Sequence, residues 1–130
     1  MANPNIAGVN NLYGGNAGWN LPASTTTTLI TVDGGHIMKI NTILCANVDG
    51  TNAANLSLYI AGMGSGTDGV TTTGADATIY IAKTITIPAN STLSLLDTPI
   101  YLLEDDALTG GTDNTGDLDL FISYEVIDVA

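Results

Sequence analysis

Basic side chains are almost missing from this chain: two lysines and no arginine stand against 13 acidic residues, for a formal charge of −11. Such a surface repels phosphate backbones and supplies almost none of the contacts that nucleic-acid binding requires, which argues against DNA or RNA as a direct partner. Histidine and cysteine are as scarce. One His and one Cys make too thin an inventory for most nucleophilic or metal-assisted mechanisms, and no G-x-S-x-G elbow is present. Cys45 has no second cysteine to bond with, and its place in an alternating apolar stretch marks it as a small packed residue. No window repeats apolar residues at three- and four-residue spacing, so amphipathic helices are not expected. No apolar run reaches the length of a membrane span, and the stretch from Met1 to Leu12 lacks the basic start and apolar centre of an export signal. The expected location is therefore a cytoplasm, or a particle assembled there.

Thr, Ile, Gly and Asn dominate instead, which favours strands punctuated by turns. The stretch from Lys39 to Ile60 is the most regular. Met38, Ile40 and Leu44 alternate with polar residues before Asp49-Gly50-Thr51-Asn52, and Leu56, Leu58 and Ile60 alternate after it. Successive strand side chains point to opposite faces, so this spacing predicts two half-buried strands joined as a β-hairpin. Further strands are expected near 26–32, 77–87, 91–96, 100–103 and 118–127, beside the pair at 36–47 and 55–61. Asp33-Gly34-Gly35, Pro88-Ala89-Asn90 and Thr98-Pro99 mark reversals. Several short strands at close spacing predict an all-β, antiparallel β-sandwich of seven to nine strands, with a jelly roll as one candidate topology. At 130 residues the chain is expected to hold one domain with a real core. Residues 1–24, rich in Asn and Gly and holding the lone Trp19, read as an extended N-terminal arm before a sandwich at 25–130. Two readings of Trp19 stand side by side: an anchor on a partner, or a cap folded back on its own sandwich.

No constellation of chemistry stands out. His36 follows a glycine turn and reads as a turn-edge residue. Asp113, Asp117 and Asp119 near the 110–119 loop, and Glu104, Asp105 and Asp106 in one turn, offer hard oxygen ligands, but their spacing fails the EF-hand pattern. A solvated loop at 110–116 explains the first group without calcium. The glycines of 62–74 lack the spacing and lysine of a phosphate loop. No cofactor or metal is expected.

Several segments carry a resemblance. Lys39, Ile40, Ile43, Ala46 and Asn47 form a K-I-x-x-I-x-x-A-N strand, Ile87, Pro88, Ala89, Thr92 and Leu93 form I-P-A-x-x-T-L, and Ser123-Tyr124-Glu125 lies near the end. Together with the MANPN start, these resemble a family of small virion structural proteins of tailed bacteriophages, familiar from phages of cyanobacteria. Where that family carries an E-G-D-x-L turn, this chain has Glu104-Asp105-Asp106-Ala107-Leu108, without glycine, which leaves the turn geometry open. The resemblance implies a non-enzymatic protein of the virion, assembled in the host cytoplasm. A capsid decoration or cement protein is the leading form, stabilising the shell by protein–protein contacts. Its implied partners are the major capsid protein or another virion protein, and copies of itself in a homo-oligomer, for which a trimer would suit a three-fold capsid position. Leu12, Tyr13, Trp19 and Leu21 are the candidate partner-binding residues. Alternatives are a neck, tail or fibre-associated protein, and a glycan-binding sandwich, against which the scatter of only seven aromatics counts.

Overall fold

The computed structural model of the chain describes residues 11–64, 70–113 and 116–128. Nine strands and no helix occur among them: β1 (Asn11–Asn20), β2 (Thr28–Thr31), β3 (His36–Asn47), β4 (Ala54–Ala61), β5 (Ile79–Ile87), β6 (Thr92–Ser94), β7 (Ile100–Leu102), β8 (Ala107–Thr112) and β9 (Leu118–Asp128). One sheet runs β1-β9-β3, with β6 and β7 sharing the far side of β3; the other runs β2-β8-β4-β5. Every pairing is antiparallel. Because β6 pairs Leu44 to Ala46 and β7 pairs Met38 to Ile40, they serve as one interrupted strand. Counted so, each sheet has four positions, and the chain changes sheet at every connection except β4 to β5. That is the double Greek-key winding of a jelly-roll sandwich.

The sheets close over one core. Ile40, Ile43, Leu120 and Ile122 from the first meet Leu56, Leu58 and Leu108 from the second, all essentially inaccessible. Burying a side chain of this size stabilises the fold by roughly 1.5–3 kcal/mol.

Four expectations need correction. The 39–60 stretch does reverse at Asp49, but β3 and β4 lie in different sheets, so it is an arch across the core and not a hairpin. Its two apolar rows face each other across the sandwich because each strand pairs elsewhere, β3 with β9 and β4 with β8. Leu44 does not share the inner face with Ile40: the register shift between Ile40 and Thr42 sends Ile43 and Cys45 inward. Residues 11–20 are not an arm. They pair residue for residue with β9, from Asn11 against Asp128 to Asn20 against Asp119, which satisfies the backbone groups that an arm would leave to water. Residues 110–112 are not a solvated loop but the buried end of β8, a central strand. Residues 1–10 of the expected arm, 65–69 of the 62–74 stretch and 114–115 lie outside the described residues.

The glycine-free turn is resolved by Asp105, which takes the left-handed conformation at φ 69°. Asp106 N–H donates to Leu103 O (3.1 Å) across it. Asp is among the few L-residues that tolerate this region. Asp105→Gly is expected to raise stability by about 0.5–1 kcal/mol, relief of the backbone outweighing the added freedom of the unfolded chain. A lower thermal midpoint for the variant would contradict this.

Candidate interaction surfaces

The residues with chemical potential are mostly engaged in holding loops. Asp49 accepts from the backbone N–H groups of Thr51 (2.8 Å) and Asn52 (3.3 Å), closing the turn after β3. Asp113 accepts from Asn55 N–H (2.9 Å) and Asn55 Nδ2 (2.8 Å), tying the end of β8 to the start of β4. Asp119 accepts from Asn20 Nδ2 (2.8 Å), and Glu104 from Gly35 N–H (2.9 Å). Among the described residues no three His, Cys, Asp or Glu side chains group as a metal site. His36 places Nδ1 2.8 Å from Gly34 O and Nε2 3.8 Å from Asp128 Oδ1. Cys45 is buried, and its burial, with the charge of Asp119, pushes the thiol up to about 11. It stays a protonated packing residue at neutral pH.

These carboxylates predict an acid response. The N–H groups of Thr51 and Asn52 hold Asp49 below its ordinary value of 3.8, and Asn55 does the same for Asp113. A folded-state pKa below the unfolded one gives stability that is present above the unfolded value and lost as pH falls through the folded one. Asp106 runs the other way: burial, reinforced by Asp105, raises it, and its buried Oδ1 has no hydrogen-bond partner while Oδ2 accepts from Leu103 N–H. The thermal midpoint is expected to fall on acidification from about pH 5 to 3, and to fall less in Asp113→Ala, which has no such contribution to lose. An equal fall in both proteins would dissociate Asp113 from the effect.

The four candidate partner-binding residues separate. Leu12 and Tyr13 are 60% and 55% exposed at the start of β1, on opposite faces of the sheet. Trp19 is half-buried and packs against the core, the folded-back reading of the two. Leu21 is fully buried, with its N–H donated to Leu118 O (2.8 Å), so it is unavailable to a partner. A cavity of about 180 Å³ opens between the sheets beside β1, lined by Ala17, Ile30, Val32, Met38, Tyr124 and Val126 among others.

One grouping escaped the sequence. Tyr59 and Tyr80, paired across β4 and β5, stand with ring centroids 4.9 Å apart on the outer face, and Lys83 Nζ lies 5.1 Å from the Tyr80 ring. A register shift separates them from the regular alternation, so spacing gave no signal. Neither protein-family models nor curated proteins match the chain.

Proposed function

We propose that the chain is a structural protein of a bacteriophage virion, a decoration or cement protein that stabilises the capsid shell through protein–protein contacts. The observation that carries this reading is the convergence of the three quoted segments around β3. Lys39 pairs with Glu125 and Ile40 with Tyr124; Ala46 pairs with Thr92 and Cys45 with Leu93. Asn47 closes the group by donating from Nδ2 to Ile87 O (2.9 Å). Segments whose paired residues lie as much as 86 positions apart, Lys39 and Glu125, thus form one contiguous unit, which is what a resemblance in architecture requires. The jelly roll recurs in capsid and lectin domains, a likeness of fold that supports the reading without carrying it.

A cement protein binds the assembled lattice and not the free subunit, so each bound copy adds its binding free energy to the assembled state. Leu12 and Tyr13 are the candidate apolar contacts, and the acidic turns at Asp33 and Glu104 would meet a basic rim on the shell. The test is a cryo-electron reconstruction of the purified particle. Hundreds of copies bridging major capsid subunits support the proposal; a few copies at the neck or tail move the chain there, and none in the particle overturns it. The Tyr59–Tyr80 pair with Lys83 favours a second reading, a glycan-binding face. Binding on a glycan array that is lost in Tyr80→Ala would support that reading over the first.

A further inference from the structure

Each sheet of an open sandwich has two edges, and exposed edges are ready templates for another strand. Three of the four edges here carry a blunting device. β6 and β7 are three residues each and interrupted. β2 has four residues and a register shift. β5 has two register shifts, a lysine at Lys83 and a left-handed Thr84 at φ 52°. The fourth edge is β1, which has none of these. It runs ten residues in unbroken register with β9, and holds no charge and no proline.

Charge does not oppose pairing along this edge. Every charged side chain of this −11 chain lies at or after Asp33, so β1 is an uncharged strip on an acidic body. The edge strands β2, β6 and β7 are uncharged as well and β5 carries only Lys83, so length and unbroken register single out β1, and the absence of charge along it leaves no like-charge pair between two facing β1 strands. Among the described residues its outer side has no partner strand, and Leu12 and Tyr13 flank it, exposed.

We propose that β1 is a self-association edge, pairing antiparallel with β1 of a second copy about a two-fold axis perpendicular to the sheet. The axis passes near Gly15 and Asn16, and the two β1-β9-β3 sheets become one continuous sheet. This pairing goes beyond the virion reading and does not rest on it. A strand pair with its flanking side chains lies at the small end of stable interfaces, so the dimer is expected with a dissociation constant on the order of micromolar. Added salt screens the repulsion of the two acidic bodies and strengthens it.

The test is sedimentation velocity of the full chain across a concentration series. Asn16 is exposed, and Asn16→Asp sets two carboxylates near the axis; Gly14→Lys sets two ammonium groups there, at a position where a Cβ meets nothing within 4 Å. Both variants are expected to keep the parental thermal midpoint and to weaken association at least about tenfold. Ser94→Asp, on the opposite edge of the same sheet, is expected to leave it unchanged. A parent that stays monomeric throughout, or an oligomer that survives both β1 substitutions, would overturn the proposal.

Discussion

Gly111→Ala is expected to cost at least about 3 kcal/mol, enough to unfold much of a marginally stable domain. Gly111 lies in β8, the strand between β2 and β4. A Cβ there would overlap Ser24 O and come within 2.7 Å of Pro22 O, both backbone atoms of the segment that leads from β1 into β2. That segment is fixed in turn by Thr112 N–H donating to Pro22 O (3.1 Å) and Gly110 N–H donating to Thr27 O (2.9 Å). No flexible side chain is present to give way. Gly110→Ala meets the same obstacle from the other side, where its Cβ would overlap Ser57 O and stand 2.9 Å from Leu58 Cα. Gly14→Ala is the control: it opens onto empty space and is expected to change stability by no more than about 0.5 kcal/mol. Urea unfolding followed by circular dichroism separates the three. A Gly111→Ala protein with the parental midpoint would show that the 22–24 segment packs more loosely than described.

The same glycines explain what the sequence hid. β3, β4, β5 and β9 were legible because Ile, Leu and Thr alternate along them, and their bounds fall within two residues of expectation. β1 and β8 were not, because Gly14, Gly15 and Gly18 in one and Gly110 and Gly111 in the other read as turn or linker. Three of these are small for reasons that exist only in three dimensions: Gly15 leaves room for the Tyr124 ring, 2.8 Å from where its Cβ would be, Gly110 for the β4 backbone at Ser57 and Leu58, and Gly111 for the chain beneath Ser24. Sheet membership was equally invisible. A turn at Asp49 is written in the local sequence, but whether the strands it joins pair or part depends on β8 and β9, some 60 residues away. Of the candidate site residues, Leu12 and Tyr13 lie at the surface, whereas Leu21 follows β1 into the core once β1 is recognised as a strand.

Asn47→Ala is expected to cost about 2–4 kcal/mol, from lost hydrogen bonds and buried carbonyls left without donors. Asn47 ends β3 at 3% exposure. Its Nδ2 donates to Asn52 O (3.0 Å) and Ile87 O (2.9 Å), while Oδ1 accepts from Asp49 N–H (2.9 Å). Its own N–H donates to Ser91 O (2.8 Å), so one residue joins the connections after β3 and after β5. Asn47→Asp keeps the shape and isolates the electrostatics. It turns an oxygen toward two carbonyls that need donors and buries a charge, and both effects raise the pKa of the new carboxyl in the folded state. A folded pKa above the unfolded one means that the folded form holds the proton more tightly, so the deficit is greatest above the folded pKa and shrinks as pH falls through it. The parent, through Asp49 and Asp113, loses stability in that direction. The gap between parent and Asn47→Asp is therefore expected to narrow on acidification from neutral pH, measured by thermal unfolding in a pH series. A gap that widened with acid, or an Asn47→Asp protein as stable as the parent at neutral pH, would mean that the amide does not join these loops as described.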